Sequence, residues 1–162
     1  MLLGIISDTH MTGARRKLPD ACVKRLRGCD LILHGGDVMT ASAMAEIEAI
    51  GPPVEAVLGN MDAPELRRRL PPERVLELPG EVTLGMVHDA GPAHGRLARL
   101  RLRFPEADAV VFGHSHVPLH ERDGGFQIFN PGSPTERRRA PEHAMGLARV
   151  ARGEISFELV RV

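Results

Sequence analysis

Three short apolar runs organise the first sixty residues. Residues 2–7, 30–34 and 54–58 are each rich in Leu, Ile or Val, and each gives way to a polar or glycine-containing loop. That pattern reads as buried β-strands. Between them, residues 18–26 and 41–50 carry apolar side chains at helical spacing, and they stop at Gly28 and at Gly51-Pro52-Pro53. Strand alternating with helix predicts parallel strands joined by right-handed crossovers.

The rhythm then changes. Residues 75–78 and 82–87 form a strand pair around Pro79-Gly80, residues 94–104 a helix with arginines on its outer face, and residues 109–112 another strand. Two hairpins follow. Residues 119–122 and 126–129 flank Asp123-Gly124-Gly125, and residues 144–150 and 155–160 flank Arg152-Gly153. Parallel βα units first and antiparallel hairpins last predict an α/β fold of two mixed β-sheets packed face to face with helices outside. The 162 residues suit one domain spanning 1–162. No internal repeat or low-complexity segment interrupts it.

Charge narrows the partners. Lys and Arg number 21, as do Asp and Glu, so the formal net charge is zero. Nothing in that balance favours stable nucleic-acid or membrane binding. The run Arg137-Arg138-Arg139 reads as a solvated turn, with a phosphate or partner contact as the sharper alternative. Cys22 and Cys29 are about two helical turns apart, too far to bridge, and read as reduced, which suits the cytoplasm. The first residues lack a basic segment, so no signal peptide is expected, and no apolar run approaches a membrane span.

The chemistry sits where strands end. Asp8-Thr9-His10, Gly36-Asp37, Gly59-Asn60-Met61-Asp62, His88-Asp89 and Gly113-His114-Ser115-His116 each follow a strand at its C-terminal end, where open α/β sheets place ligands. Alternate residues such as Asp8 and His10, or His114 and His116, are expected to point the same way as a strand runs out. Carboxylate, imidazole and amide oxygen without sulfur suit Mn, Fe, Zn or Ni. Any one of these clusters is ordinary: a cap, a turn, a chance pair. Five in order at strand ends are not.

That order, Asp-x-His, Gly-Asp, Gly-Asn-x-Asp, His, Gly-His-x-His, resembles the calcineurin-like metallophosphoesterases over nearly the whole chain. The short length and Asn130-Pro131-Gly132-Ser133 resemble the small single-domain prokaryotic phosphodiesterases of that superfamily. The resemblance implies a four-layer αββα sandwich and a phosphodiesterase or phosphomonoesterase with two divalent metal ions, manganese first and Ni, Fe or Zn as alternatives. It implies that Asp8, His10 and His116 hold one metal and Asn60, His88 and His114 the other, with Asp37 between them. A hydroxide bridging the metals would attack the ester, since two cations about 3.5–4 Å apart acidify a shared water. The residues expected to carry catalysis are Asp37, Asn60 and Asp62. The substrate class is a small phosphate ester or nucleotide-like molecule, and a homo-oligomer stays open. The alternative is a non-catalytic scaffold or interaction module of the same fold.

Two positions depart from the wider superfamily. Met61 stands where many relatives carry a proton-donating His, and Asp89-Ala90 follow His88 where many have Gly. Asp62 is then the nearest polar group for help at the site, either by orienting a ligand or by direct assistance. Among the other histidines, His34 is either a satisfied core residue or one that supports the ligands, His94 is a helix-start residue or one that faces the cleft, and His120 and His143 are surface residues. The 130–133 segment reads as a structural turn near the site, with contact between its backbone N–H groups or Ser133 and a substrate phosphate as the alternative.

Overall fold

Leu3 and Ile5 face one side of the first strand and Ile6 the other, and that split sets the layering. The computed structural model describes residues 1–12 and 16–162. Its first half runs β1 (Leu2–Ile6), α1 (Asp20–Arg27), β2 (Leu31–His34), α2 (Ala41–Glu48), β3 (Val54–Ala56) and α3 (Pro64–Arg67). The second runs β4 (Glu73–Leu78), β5 (Val82–Val87), α4 (Arg96–Arg103), β6 (Ala109–Val111), β7 (Leu119–Asp123), β8 (Phe126–Asn130), β9 (Ala144–Ala151) and β10 (Glu154–Arg161).

The strands form two five-stranded sheets, ordered β10-β9-β1-β2-β3 and β4-β5-β6-β8-β7. In the first, β1, β2 and β3 are parallel, and the β9–β10 hairpin adds antiparallel to β1. In the second, β5, β6 and β8 are parallel, with β4 and β7 antiparallel at the edges. Both sheets are therefore mixed, as the order of βα units and hairpins predicted.

Three apolar layers hold the stack. Leu3, Ile5 and Leu33 meet Leu84, Met86, Val111 and Phe129 between the sheets. On the outer face of the first sheet, Ile6 and Ile32 pack against Cys22 and Leu26 of α1 and Met44 and Ile47 of α2. On the outer face of the second, Val110, Phe112 and Ile128 pack against Leu100 of α4, whose Arg101 and Arg103 turn to solvent. The layers are thus helix, sheet, sheet, helix, as expected. Burying an aliphatic side chain contributes about 1.5–3 kcal/mol, so these faces fix the register.

Element ends depart from the sequence reading for local reasons. The first helix begins at Asp20, not at 18, because Pro19 holds an extended backbone and pushes Leu18 out of the helical region. The fourth begins at Arg96, because Gly95 before it is left-handed (φ 68°). The third strand closes at Ala56, and the Leu58 N–H donates to Pro71 O (2.8 Å) outside the sheet. The four-residue α3, opened by Pro64, is too short to show helical periodicity. Cys22 and Cys29 are free and buried. Among the described residues, no helix is long and apolar enough to cross a membrane.

Candidate metal centre

The parallel strands β1, β2 and β3 of one sheet, and β5 and β6 of the other, release their chains at the same end of the sandwich. All five polar clusters gather there. Asp8, His10, Asp37, His88 and His116 are buried, from 0 to 6% exposed, while Asn60 and His114 are open to solvent.

The backbone that aims these side chains is unusual. β1 ends at Ile6, so Asp8 and His10 lie beyond it, and both are left-handed (φ 55° and 44°). Asp37, His114 and His116 are left-handed as well (φ 59°, 67° and 58°). The sequence reading brought Asp8 and His10 together through the pleat of a strand. They do share the site, but through successive tight turns. The turns are held by Asp8 N–H to Gly36 O (2.9 Å) and His10 N–H to Asp37 O (3.0 Å).

The donor atoms converge on Asp37. Its Oδ2 lies 3.5 Å from His10 Nε2 on one side and 3.3 Å from His88 Nε2 on the other. Its Oδ1 accepts the Met61 N–H (2.8 Å). On the His10 side, His116 Nε2 is 3.2 Å from His10 Nε2 and 3.3 Å from Asp8 Oδ1. On the His88 side, Asn60 Oδ1 is 3.1 Å from His88 Nε2 and 3.0 Å from His114 Nδ1. Two groups compact enough to hold a cation result, Asp8-His10-His116 and Asp8-Asp37-His88. All seven residues marked by the strand-end motifs are therefore neighbours in space.

The surroundings fix the orientation of these groups. His88 Nδ1 donates to Gly35 O (2.7 Å), which leaves Nε2 as the nitrogen that faces the site. His116 Nδ1 donates to Glu136 O with the same effect. Asp8 accepts from Ser7 Oγ (2.6 Å) and from the His114 N–H. Glycine makes room for the carboxylates. A Cβ on Gly113 would overlap Ser7 Oγ and lie 2.6 Å from Asp8 Oδ2, and one on Gly59 would overlap Asp37 Oδ1.

Burial dominates the electrostatics. It pushes the Asp8 carboxyl up to about 6 and holds the His10 and His116 imidazoles below their ordinary value. Burial also opposes charge on Asp37, but pairing with His88 and the Met61 N–H outweigh it and bring Asp37 down to about 2. Burial likewise opposes protonation of His88, and the Asp37 and Asp8 carboxylates overcome it and raise that imidazole. Two buried carboxyls share the one raised imidazole of His88 as counter-charge, and a divalent cation would supply more. With no thiolate among them, the donors fit Mn, Fe, Ni or Zn.

Other residues marked in the sequence take supporting places. Asp62 is 3% exposed. Its Oδ1 accepts the Met39 N–H and its Oδ2 the Gly59 N–H, each at 2.7 Å. His34 is fully buried, with Nδ1 accepting the Gly36 N–H (3.2 Å) and Nε2 3.0 Å from Thr9 Oγ1. It is a satisfied core histidine that ties the β1 loop to the β2 loop. The 130–133 turn is structural too: Asn130 Nδ2 donates to Gly113 O (2.8 Å) and Ser133 Oγ to Asp8 O (2.8 Å). His94 is exposed just ahead of α4, and exposed His120 stands edge-on to Phe129 and Phe157. Met61 is half exposed at the rim. Glu136 and Thr135 carried no sequence signal. They reach the site only because the 133–136 segment folds back over the β1 loop, with Thr135 Oγ1 donating to Thr9 O (2.6 Å).

Comparison with known proteins places this geometry. Residues 1–153 match the calcineurin-like phosphoesterase superfamily domain. A probable metallophosphoesterase of Methanothermobacter thermautotrophicus is 33% identical over 99% of this chain and 92% of its own length. The solution structure of a Thermotoga maritima protein is 30% identical, with a TM-score of 0.77 over 99% of both chains. Vps29 of Entamoeba histolytica, solved in complex with Zn2+, shares the fold at 21% identity, with a TM-score of 0.77 over 99% of both chains. A domain match across most of the length, a relative aligned end to end and buried donors at the strand ends agree: the chain belongs to the calcineurin-like phosphoesterase superfamily.

Proposed function

We propose that this protein is a phosphoesterase that uses two divalent metal ions, manganese first among them, to hydrolyse small phosphate esters or nucleotide-like phosphodiesters. The observation that carries the reading is the Asp37 carboxylate, one oxygen of which faces His10 on one side and His88 on the other. Asp8, His10 and His116 would hold one ion and Asn60, His88 and His114 the other, with Asp37 between. When bound, such a pair of ions lowers the pKa of water toward neutrality and neutralises charge on the phosphoryl oxygens.

The chain's own residues set the conditions for that chemistry. Asp37 is held on its Oδ1 by the Met61 N–H, so its Oδ2 is the oxygen presented to both halves. Asn60 adds an oxygen donor without charge, which leaves its half more electrophilic than a third carboxylate would. Asn60 and His114 are the exposed members, so an ester would approach from their side. Met61, half exposed and next to Asn60 in the chain, has no proton to give the leaving oxygen. Asp62 has both oxygens occupied by backbone N–H groups, so it acts as a positioning residue for the 59–62 loop.

The test is reconstitution. Chelator-stripped protein is loaded with Mn, Fe, Ni or Zn and assayed against aryl and nucleotide mono- and diesters, with metal per chain measured by elemental analysis. Two ions per chain and metal-dependent turnover are expected. At most one ion per chain would overturn the dinuclear reading. Two ions without hydrolysis of any ester would favour a metal-binding scaffold instead.

A further inference from the structure

Glu136 lies outside every strand-end motif, yet it meets both imidazoles of the Asp8-His10-His116 group. Its main-chain O accepts from His116 Nδ1. Its carboxylate Oε2 lies 3.9 Å from His10 Nδ1 and accepts from Arg16 NH1 at 2.7 Å. The carboxylate is about one-third exposed, His10 only 7%. One residue thus stands behind two ligand-type histidines.

The proton on His10 decides what this means. His116 spends its Nδ1–H on Glu136 O, so its Nε2 is an acceptor. His10 Nε2 lies 3.2 Å away and, with both rings neutral, is the donor of that pair. In this arrangement His10 carries its proton on the nitrogen that faces the site. An imidazole binds a cation through a bare nitrogen, so His10 can do so at Nε2 only with the proton on Nδ1. The group that Nδ1 faces is the Glu136 carboxylate.

We propose that Glu136 is the positioning residue for this half of the site. Its main-chain oxygen locks the tautomer of His116, and its carboxylate, pinned by Arg16, stabilises the tautomer of His10 that can bind metal. Charge supports the same direction. Arg16 and Arg138 both act on His10 as positive charges, and after Asp37 it is Glu136 that offsets them there. Removing that anion leaves Arg16 uncompensated beside a cation site. The inference rests on the metal reading above and deepens it.

The informative variant is Glu136→Gln, which keeps the length and the main-chain carbonyl and removes only the charge. Glu136→Asp is the conservative partner, and Glu154→Gln, on exposed β10, controls for general loss of an anion. Mn2+ and Zn2+ binding to the chelator-stripped full chain is measured by calorimetry, with thermal melts confirming that each variant folds. Groups that orient metal-ligating histidines typically contribute about 10–100-fold in metal affinity. Glu136→Gln is expected to weaken one of the two binding events by that factor, with Glu136→Asp recovering part of it and Glu154→Gln without effect. Imidazole nitrogen NMR of the Zn-loaded protein should show the His10 proton on Nδ1 in the wild type and exchange-broadened in Glu136→Gln. Affinity within twofold of wild type in a folded Glu136→Gln overturns the proposal. Absence of metal binding by the wild type instead overturns the metal reading, so the two failures are distinct.

Discussion

Asp62 offers the sharpest separation between a residue that acts and one that positions. Its two oxygens each accept one backbone N–H, from Met39 and from Gly59, in a site only 3% exposed. Hydrogen bonds to a charged acceptor contribute about 1.5–3 kcal/mol each. Asp62→Ala gives up both but also relieves the cost of burying a carboxylate, for a net loss of about 2–4 kcal/mol. For a chain of this length, 1 kcal/mol moves Tm by about 2–4 °C. The expected fall is therefore about 5–15 °C by calorimetry on chelator-treated protein.

The usual conservative change is informative here because it is not conservative. Asp62→Asn keeps one acceptor and turns an NH2 group against a backbone N–H, so two donors face each other. Its Tm should fall nearly as far as that of the alanine variant, and metal affinity should weaken because Gly59 and Met39 flank Asn60 and Asp37. Activity should then recover substantially at saturating metal. A different result sinks this reasoning: Asp62→Asn melting within about 2 °C of wild type while kcat falls about 100-fold at saturating metal. That pattern would make the Asp62 carboxylate a direct participant.

The remaining expectations concern protons. Asp8 is raised to about 6 by burial, so between about pH 4 and 6 the folded chain binds more protons than the unfolded one and loses stability as pH rises, about 3 kcal/mol in all. Asp8→Asn should raise the Tm of chelator-treated protein at pH 8 while metal binding is lost, and a lowered Tm would contradict this. His34, fully buried, is depressed to about 3, so the unfolded chain binds the extra proton below about pH 6.5 and stability falls as pH drops, by about 5 kcal/mol near pH 3. A folded His34→Gln variant should show a shallower acid limb in a Tm-versus-pH series. In the proposed hydrolysis Met61 would leave a poor leaving group without a proton, and general acids contribute about 10²–10⁴-fold. kcat/KM should therefore fall steeply with leaving-group pKa across a series of esters and less steeply in Met61→His, whereas a flat wild-type series would mean that another acid serves.

Much of the fold was legible because it rests on periodicity. Leu3 and Ile5 against Ile6, or Leu100 among the arginines of α4, state in one dimension which face is buried. The candidate site was legible as an ordered set of residue types, since Asp, Asn and His at five strand ends have few other uses in common. What escaped was the means of convergence. Residues 8, 10, 37, 114 and 116 all hold positive φ, a backbone that costs an L-residue about 1 kcal/mol or more. Asp and His tolerate that region better than most residues, so the residue types that bind metal also suit the bends that aim them, and sequence alone does not separate the two reasons. Glu136 escaped for another cause. It reaches His10 and His116 across 126 and 20 positions, through a main-chain oxygen and a partly exposed carboxylate. Neither has a local pattern, because a main-chain oxygen belongs to every residue and one surface glutamate resembles any other. Only the fold-back of residues 133–136 gives it meaning. The left-handed turns and the buried Asp8 carboxyl are both unfavourable in themselves, and both bring donor atoms to one place. On the proposed metal reading, a bound cation would stabilise only the folded chain and would offset these costs where they arise, so loading should raise Tm most in the variants that leave the seven proposed donors intact.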